Sequence, residues 1–210
     1  IPEDLGRISY LLSDKTGTLN QNDMEMKMLH LGDELYSYES FGIIQSRLAN
    51  LKDVHELESS HSALVTTILT LALCHNVTPT LEDGADVFNF DTDNISYQAA
   101  SPDEIAIVKF TESVGMTLVK RDRHDITIYH KASNTKLTYK MLYTFPFNSD
   151  TKRMGIIVQN TLTEKITFLE KGADTVMSSI VCANEWLAEE VDNLARDGLR
   201  TLVIAKKDLT

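Results

Sequence analysis

Lys136-Leu137-Thr138-Tyr139-Lys140-Met141-Leu142-Tyr143-Thr144-Phe145-Pro146-Phe147, followed by Asn148-Ser149-Asp150 and by Lys152 to Gln159, reads as two strands joined by a tight turn. Branched and aromatic residues fill both runs, and the Asn-Ser-Asp triplet between them is turn chemistry. Working outward, the same texture recurs. Thr117 to Lys120 and Asp125 to His130 precede the pair, with Ser133-Asn134 as a turn, and Lys165 to Lys171 and Arg200 to Lys206 follow it. Ala173 to Cys182 and Glu185 to Arg196 carry helical patterns, the second stopped by Gly198. Strands clustered in sequence with helices set apart predict an α+β domain, an antiparallel twisted sheet flanked by helices.

Upstream, Ser101-Pro102-Asp103-Glu104 opens a helix that runs to about Val114. Serine at the N-cap, proline at the first helical position and glutamate three residues on spell a capping box. His61 to Asn76 is apolar nearly all round, which predicts a buried helix. Val77 to Asn94 is polar and acidic and reads as a surface loop. Met24 to Leu31 alternates apolar and polar residues as a half-buried strand does. From Gly32 to Glu58 the pattern is weak, with a strand-like patch at Tyr36 and Tyr38 and one short helical stretch.

With 210 residues, 42% of them hydrophobic and 24% charged, the chain fits one large domain or one domain plus a piece of another. A net charge of −11 argues against a nucleic-acid partner and against an anionic membrane surface. Small anionic ligands stay open, because a local cluster of lysine and arginine decides those. Cys74 and Cys182 are far apart and lack metal-type spacing, so both read as free buried thiols in a reducing compartment. The longest apolar helix candidate, Ala63 to Cys74, is too short for a bilayer span of about 20 residues. No basic region and apolar core of a signal peptide opens the chain.

Ile8-Ser9-Tyr10-Leu11-Leu12 followed by Asp14-Lys15-Thr16-Gly17-Thr18-Leu19-Asn20 carries the chemistry. It describes an aspartate at the carboxyl end of a buried strand, with a turn behind it whose amides and hydroxyls can hold a phosphate. Such an aspartate can attack a phosphoryl group and carry it as an aspartyl phosphate. Phosphatases of the related haloacid-dehalogenase type place a second Asp two positions on. Thr16 stands there and cannot act as a carboxylate base, so a phosphoenzyme formed here should persist, as an ion or lipid pump requires.

Asp14 to Leu19 resembles the signature of the P-type ATPases. Tyr97-Gln98-Ala99-Ala100-Ser101-Pro102-Asp103-Glu104, Phe145-Pro146-Phe147 with Lys152-Arg153-Met154, Lys171-Gly172-Ala173-Asp174, and Asp197-Gly198-Leu199-Arg200-Thr201-Leu202 resemble the nucleotide-domain motifs of the type IV class, the phospholipid flippases. Arg7-Ile8-Ser9-Tyr10-Leu11-Leu12 and Leu29-His30-Leu31-Gly32 look most like the branch that works without an accessory subunit. Asn20 departs from the usual threonine but keeps a side chain that donates and accepts hydrogen bonds.

The resemblance implies a division of the chain. Residues 1–19 would be a one-strand stub of the haloacid-dehalogenase-like phosphorylation domain, and residues 20–210 a nucleotide-binding domain incomplete at its C-terminal end. It implies catalytic roles for Asp14, Lys15, Thr16 and Thr18, with Lys15 and Thr18 stabilising charge on the transferring phosphoryl group. Mg²⁺ would be met by the Asp14 carboxylate and the Thr16 carbonyl, a further carboxylate coming from a later acidic motif that this chain lacks. ATP would be held by Glu104, Phe147, Lys152, Lys171, Gly172 and Arg200. Phe147 would stack on adenine, with Phe145 of the same parity the alternative for the core. Lys171 beside Gly172 would meet a phosphate or an adenine edge where small residues allow close approach. Arg200 would meet phosphates, and Lys152 and Arg153 add charge near Phe147. Glu104 is either a cap or the acceptor of the adenine amino group.

A full-length parent would be a multi-pass pump on the cytosolic face of a Golgi or endosomal membrane. It would move phospholipid through membrane helices and work with the remaining phosphorylation and actuator domains. The alternatives are a catalytically silent nucleotide-binding module, the nucleotide domain of another P-type cation pump, and a phosphatase, which Thr16 disfavours.

Overall fold

In the computed structural model, residues 6–51, 62–81, 95–182 and 185–209 are described. The hairpin read at Lys136 to Gln159 forms as β7 (Thr135–Asn148) and β8 (Arg153–Asn160). It is the centre of a six-stranded, wholly antiparallel sheet. β5 (Met116–Arg121), β6 (Asp125–His130) and β9 (Ile166–Gly172) extend that meander, and β10 (Val203–Leu209) closes one edge, giving the order β10-β9-β8-β7-β6-β5.

Side-chain alternation decides which face is covered. Leu118, Ile128 and Leu137 lie in one cross-strand row and Ile156 and Leu169 in another, all nearly inaccessible to solvent. Against them pack the buried positions of α2 (Ala63–Leu73) and α3 (Pro102–Ser113), including Ile68, Leu71, Val108 and Phe110. α2 is the helix expected within His61 to Asn76, and Pro102 takes the first position of α3. α1 (Phe41–Ala49) covers a further side through Phe41, Ile44 and Leu48, after the short pair β1 (Met28–His30) and β2 (Leu35–Ser37) and a 3-10 turn at Tyr38–Ser40. No helix among the described residues is long and apolar enough to cross a membrane.

Four expectations are corrected. The strand at Ile8 to Leu12 does not form: Tyr10, Leu11 and Leu12 are 88%, 82% and 95% exposed. Among the described residues no strand pairs with this segment, and an unpaired strand cannot bury its faces. The polar segment after Val77 is not all loop, because β3 (Thr78–Leu81) pairs antiparallel with β4 (Ile95–Gln98); residues 82–94 lie outside the described ones. Within Ala173 to Cys182 only a single helical turn forms, α4 (Asp174–Met177). Met24 to Leu31 is extended only at β1.

The last helix, α5 (Trp186–Arg196), forms where expected and is followed by Gly198 at φ +77°, the left-handed conformation that ends helices. None of its residues is fully buried. Its Trp186 ring stacks on His30 at 5.1 Å between centroids and lies against Gly32 (φ +91°), where an added Cβ would come within 3.1 Å of the indole nitrogen.

Candidate nucleotide site

Lys171 occupies the penultimate position of β9 and points to the helix-covered side, in register with buried Met154. A lysine only 7% exposed needs a partner, since an isolated ammonium is costly to desolvate. Its Nζ donates to Glu104 Oε1 at 3.0 Å, a contact spanning 67 residues. The same oxygen accepts the Asn76 backbone N–H at 3.2 Å.

Glu104 is therefore not the closing member of a capping box. The Ser101 side chain makes no cap bond, and its hydroxyl instead faces Asp103 Oδ2 at 3.4 Å. A buried cation reaching across from β9 outcompetes the local reciprocal cap.

Behind this pair the end of α2 is tightly fixed. The His75 imidazole is fully buried, with Nε2 2.8 Å from the Ala72 carbonyl and Nδ1 accepting the Val77 N–H at 3.1 Å. Arg121 donates to the His75 carbonyl oxygen. Burial, reinforced by the Arg121 and Lys171 charges, pulls the His75 pKa down to about 3, so the ring is neutral at physiological pH. Cys74 Sγ sits 3.7 Å from the carbonyls of Met154 and Leu169, and burial pushes its thiol up to about 12.

Lys171 and Arg200 line one groove of about 450 Å³, walled by Leu71 and Ile107 of the core, by α5, by residues 198–204 and by residues 23–30. That volume lies within the range of small-molecule sites. Arg200 is 63% exposed and donates to Asp103 Oδ2 at 2.6 Å, while Asp103 is 24% exposed. Two adjacent carboxylates in the first turn of α3 thus hold two cations, one buried and one exposed.

Of the other expected site residues, Phe147 and Lys152 are exposed at the β7–β8 hairpin end, outside the groove lining. The register Asn148↔Arg153↔Gly172 puts that hairpin end two strands from the end of β9, about 10 Å at ordinary strand spacing. Phe147 is 65% and Phe145 45% exposed, so neither is core; Phe145 instead packs against Tyr143 and Phe168. Lys152 has φ +49°, and its backbone spans the hairpin, its N–H donating to Asn148 and its carbonyl accepting from the Ala173 N–H.

Gly172 stands in close approach to the neighbouring strand. An added Cβ would meet the Arg153 Cβ at 2.7 Å and the Lys152 carbonyl at 2.9 Å, so this glycine lets β8 approach β9.

Asp14, Lys15, Thr16 and Thr18 are exposed, on a turn closed by Leu19 N–H donating to the Lys15 carbonyl at 3.0 Å, with Gly17 at φ +78°. For Mg²⁺ the Asp14 carboxylate and the Thr16 carbonyl are two oxygens where octahedral geometry needs six. Among the described residues no group of three or more His, Cys, Asp or Glu could hold a metal. The donor set among the described residues does not fit a complete Mg²⁺ site.

Sequence reasoning missed Asp103 as the partner of Arg200, the His75–Arg121 contact under Glu104, and the Trp186–His30 stack. Only Asp103 left a local signal, as the neighbour of Glu104 in a recognisable motif. The others depend on residues brought together across the fold.

Comparison with known proteins gives these features a context. Residues 63–210 match the family described as P-type ATPase, cytoplasmic domain N. The whole chain is 56% identical, over 224 residues, to 18% of the phospholipid-transporting ATPase NEO1 of Saccharomyces cerevisiae. It is 49% identical, over 214 residues, to 19% of the probable phospholipid-transporting ATPase tat-5 of Caenorhabditis elegans, and 44% identical, over 243 residues, to 21% of the probable phospholipid-transporting ATPase IIB of Homo sapiens. The chain spans about a fifth of the length of these curated relatives.

Proposed function

Because the chain belongs to the P-type ATPases, matching their cytoplasmic domain N, we propose that it binds ATP for a phospholipid-transporting pump and presents Asp14 as the phosphoryl acceptor. Residues 1–19 would then belong to the phosphorylation domain and residues 20–210 to the nucleotide-binding domain. The observation that carries the reading is the groove in which buried Lys171, braced by Glu104, shares a wall with exposed Arg200. A cation held in a dry site at fixed position meets an anionic or polar ligand without reorganising. Arg200 adds a fork of donors suited to phosphate oxygens. Phe147 offers an exposed aromatic face about two strands away, within reach of a nucleotide that enters the groove by its phosphates or by its base.

Mg²⁺ would supply charge neutralisation at the phosphates when bound, and in the pump Asp14 and Thr16 would contribute two of its oxygens. Phosphoryl transfer depends on positioning, and the Asp14 loop is exposed, held among the described residues by its own turn. Binding should therefore outlive catalysis, with Kd on the order of 0.1–1 mM, which is about 4–5.5 kcal/mol. This silent-module behaviour is the reading for the isolated chain. Localisation on the cytosolic face of a Golgi or endosomal membrane, and partnership with an actuator domain, belong to the same proposal for the longer pump.

The test is acid-quenched labelling. The chain and its Asp14→Asn variant, incubated with labelled ATP and Mg²⁺, should show equal background, whereas in the full-length pump label should be present in the wild type and absent in Asp14→Asn. Acid-stable label in the full-length Asp14→Asn pump would show that another residue is the acceptor.

A further inference from the structure

The first turn of α3 carries Asp103 and Glu104 side by side, and they take two cations of the groove, Arg200 and Lys171. The two pairs differ in burial. Lys171 and Glu104 are 8% and 14% exposed at the side chain, and Glu104 is also held by the Asn76 N–H. Arg200 and Asp103 are 63% and 24% exposed. A pair this deeply buried, with a second hydrogen bond on the carboxylate, is a fixed part of the site. An exposed one is worth little and can open.

We infer that Asp103 is an affinity-setting residue of the nucleotide site, an internal carboxylate that occupies Arg200 in place of a phosphate and must yield it before the phosphate chain of a nucleotide can bind. This rests on the nucleotide reading given above. The chemistry follows from the donor set. Arginine presents its N–H groups to a carboxylate or to a phosphate in the same planar fork, so the two compete for one face.

Which partner moves is also fixed. Asp103 lies in the first turn of a helix, where a negative charge is favoured, and it accepts from the Ser101 hydroxyl at 3.4 Å. Arg200 lies beyond the end of α5, after Gly198, on a mostly exposed side chain. Arginine swings and the carboxylate stays. A stationary carboxylate then disfavours an incoming phosphate twice, by holding its cation and by like-charge repulsion. Neither effect touches the base and ribose.

The test is calorimetric titration of ATP, ADP and adenosine into the wild-type chain, Asp103→Asn, Arg200→Gln and the double variant. Asp103→Asn should bind ATP and ADP about 2- to 5-fold more tightly, the size of an exposed ion pair, with adenosine affinity unchanged. In the Arg200→Gln background the gain from Asp103→Asn should shrink to less than half. Asp103→Ala provides a second variant of the same sign, and thermal unfolding checks that each protein is folded. Equal or weaker ATP binding in folded Asp103→Asn, or an undiminished gain without Arg200, overturns the inference while leaving nucleotide binding intact. Failure of the wild type to bind ATP or adenosine overturns the nucleotide reading and this inference together.

Discussion

The Asp14 loop and the Lys171 groove belong to one chemical event in the proposed pump, yet this chain builds them to very different standards. Around Asp14, residues 6–23 are exposed and held by little more than a single turn. Around Lys171, six strands and two helices fix a cation to within a hydrogen bond of its counter-ion, over a neutral buried histidine. The difference teaches where positional precision comes from. A short motif supplies reactive groups, but only packed elements hold them, and a parallel strand without neighbours packs against nothing.

The largest effect that separates the two regions is on stability. Ile156→Ala, at a fully buried position of β8, should cost about 2–5 kcal/mol in denaturant unfolding. Leu12→Ala, at 95% exposure, should stay within about 0.5 kcal/mol. A loss above 1 kcal/mol at Leu12 would mean that the Asp14 region is packed after all.

Next in size is the buried pair. Lys171→Met leaves the Glu104 carboxylate with only the Asn76 N–H, and removing one partner of a buried pair costs about 3 kcal/mol. Nucleotide affinity should fall about 10-fold or more, the worth of one hydrogen bond to a charged group. Gly172→Ala sharpens the distinction between ligand approach and strand approach. It should lower stability by about 1–3 kcal/mol, because its Cβ has no room beside Arg153 and Lys152. An unchanged melting temperature together with lost nucleotide binding would restore the ligand reading of that glycine.

pH probes the same core. The native His75 pKa of about 3 lies below the unfolded value near 6.5, so the unfolded chain binds the extra proton. Stability is fully present above about pH 6.5 and is lost as pH falls toward 3. His75→Gln should flatten that part of the profile; a profile identical to wild type would show that other groups dominate it. The smallest effect is on thiol reactivity: Cys74 is buried as expected but Cys182 is exposed, so Cys182 should react with a maleimide at once and Cys74 only on unfolding.

How much of this was legible varies with how local the cause is. The strands from Thr117 to Lys171 were readable because alternation and turn residues act over neighbouring positions, and each appears within a residue or two of its expected bounds. β3 was not readable: Thr78–Leu81 carries Pro79 and few apolar residues, and it is a strand because Ile95–Gln98 pairs with it. The capping box was misread for a long-range reason, since Lys171 claims Glu104 from the far end of the chain. Lys171 and Arg200 were found through their motifs, and the groove unites them. Their partner Asp103 and the support from His75 and Arg121 emerge only when α2, α3 and β5 meet.

One titration tests the comparison most directly: ATP added to the isotope-labelled chain and followed by backbone amide NMR. Saturable shifts should cluster at Glu104, Lys171, Arg200 and Phe147, with Kd on the order of 0.1–1 mM, while the amides of residues 8–20 stay unmoved. Saturable shifts centred on Asp14 to Asn20, with none at Lys171 or Arg200, would contradict the account.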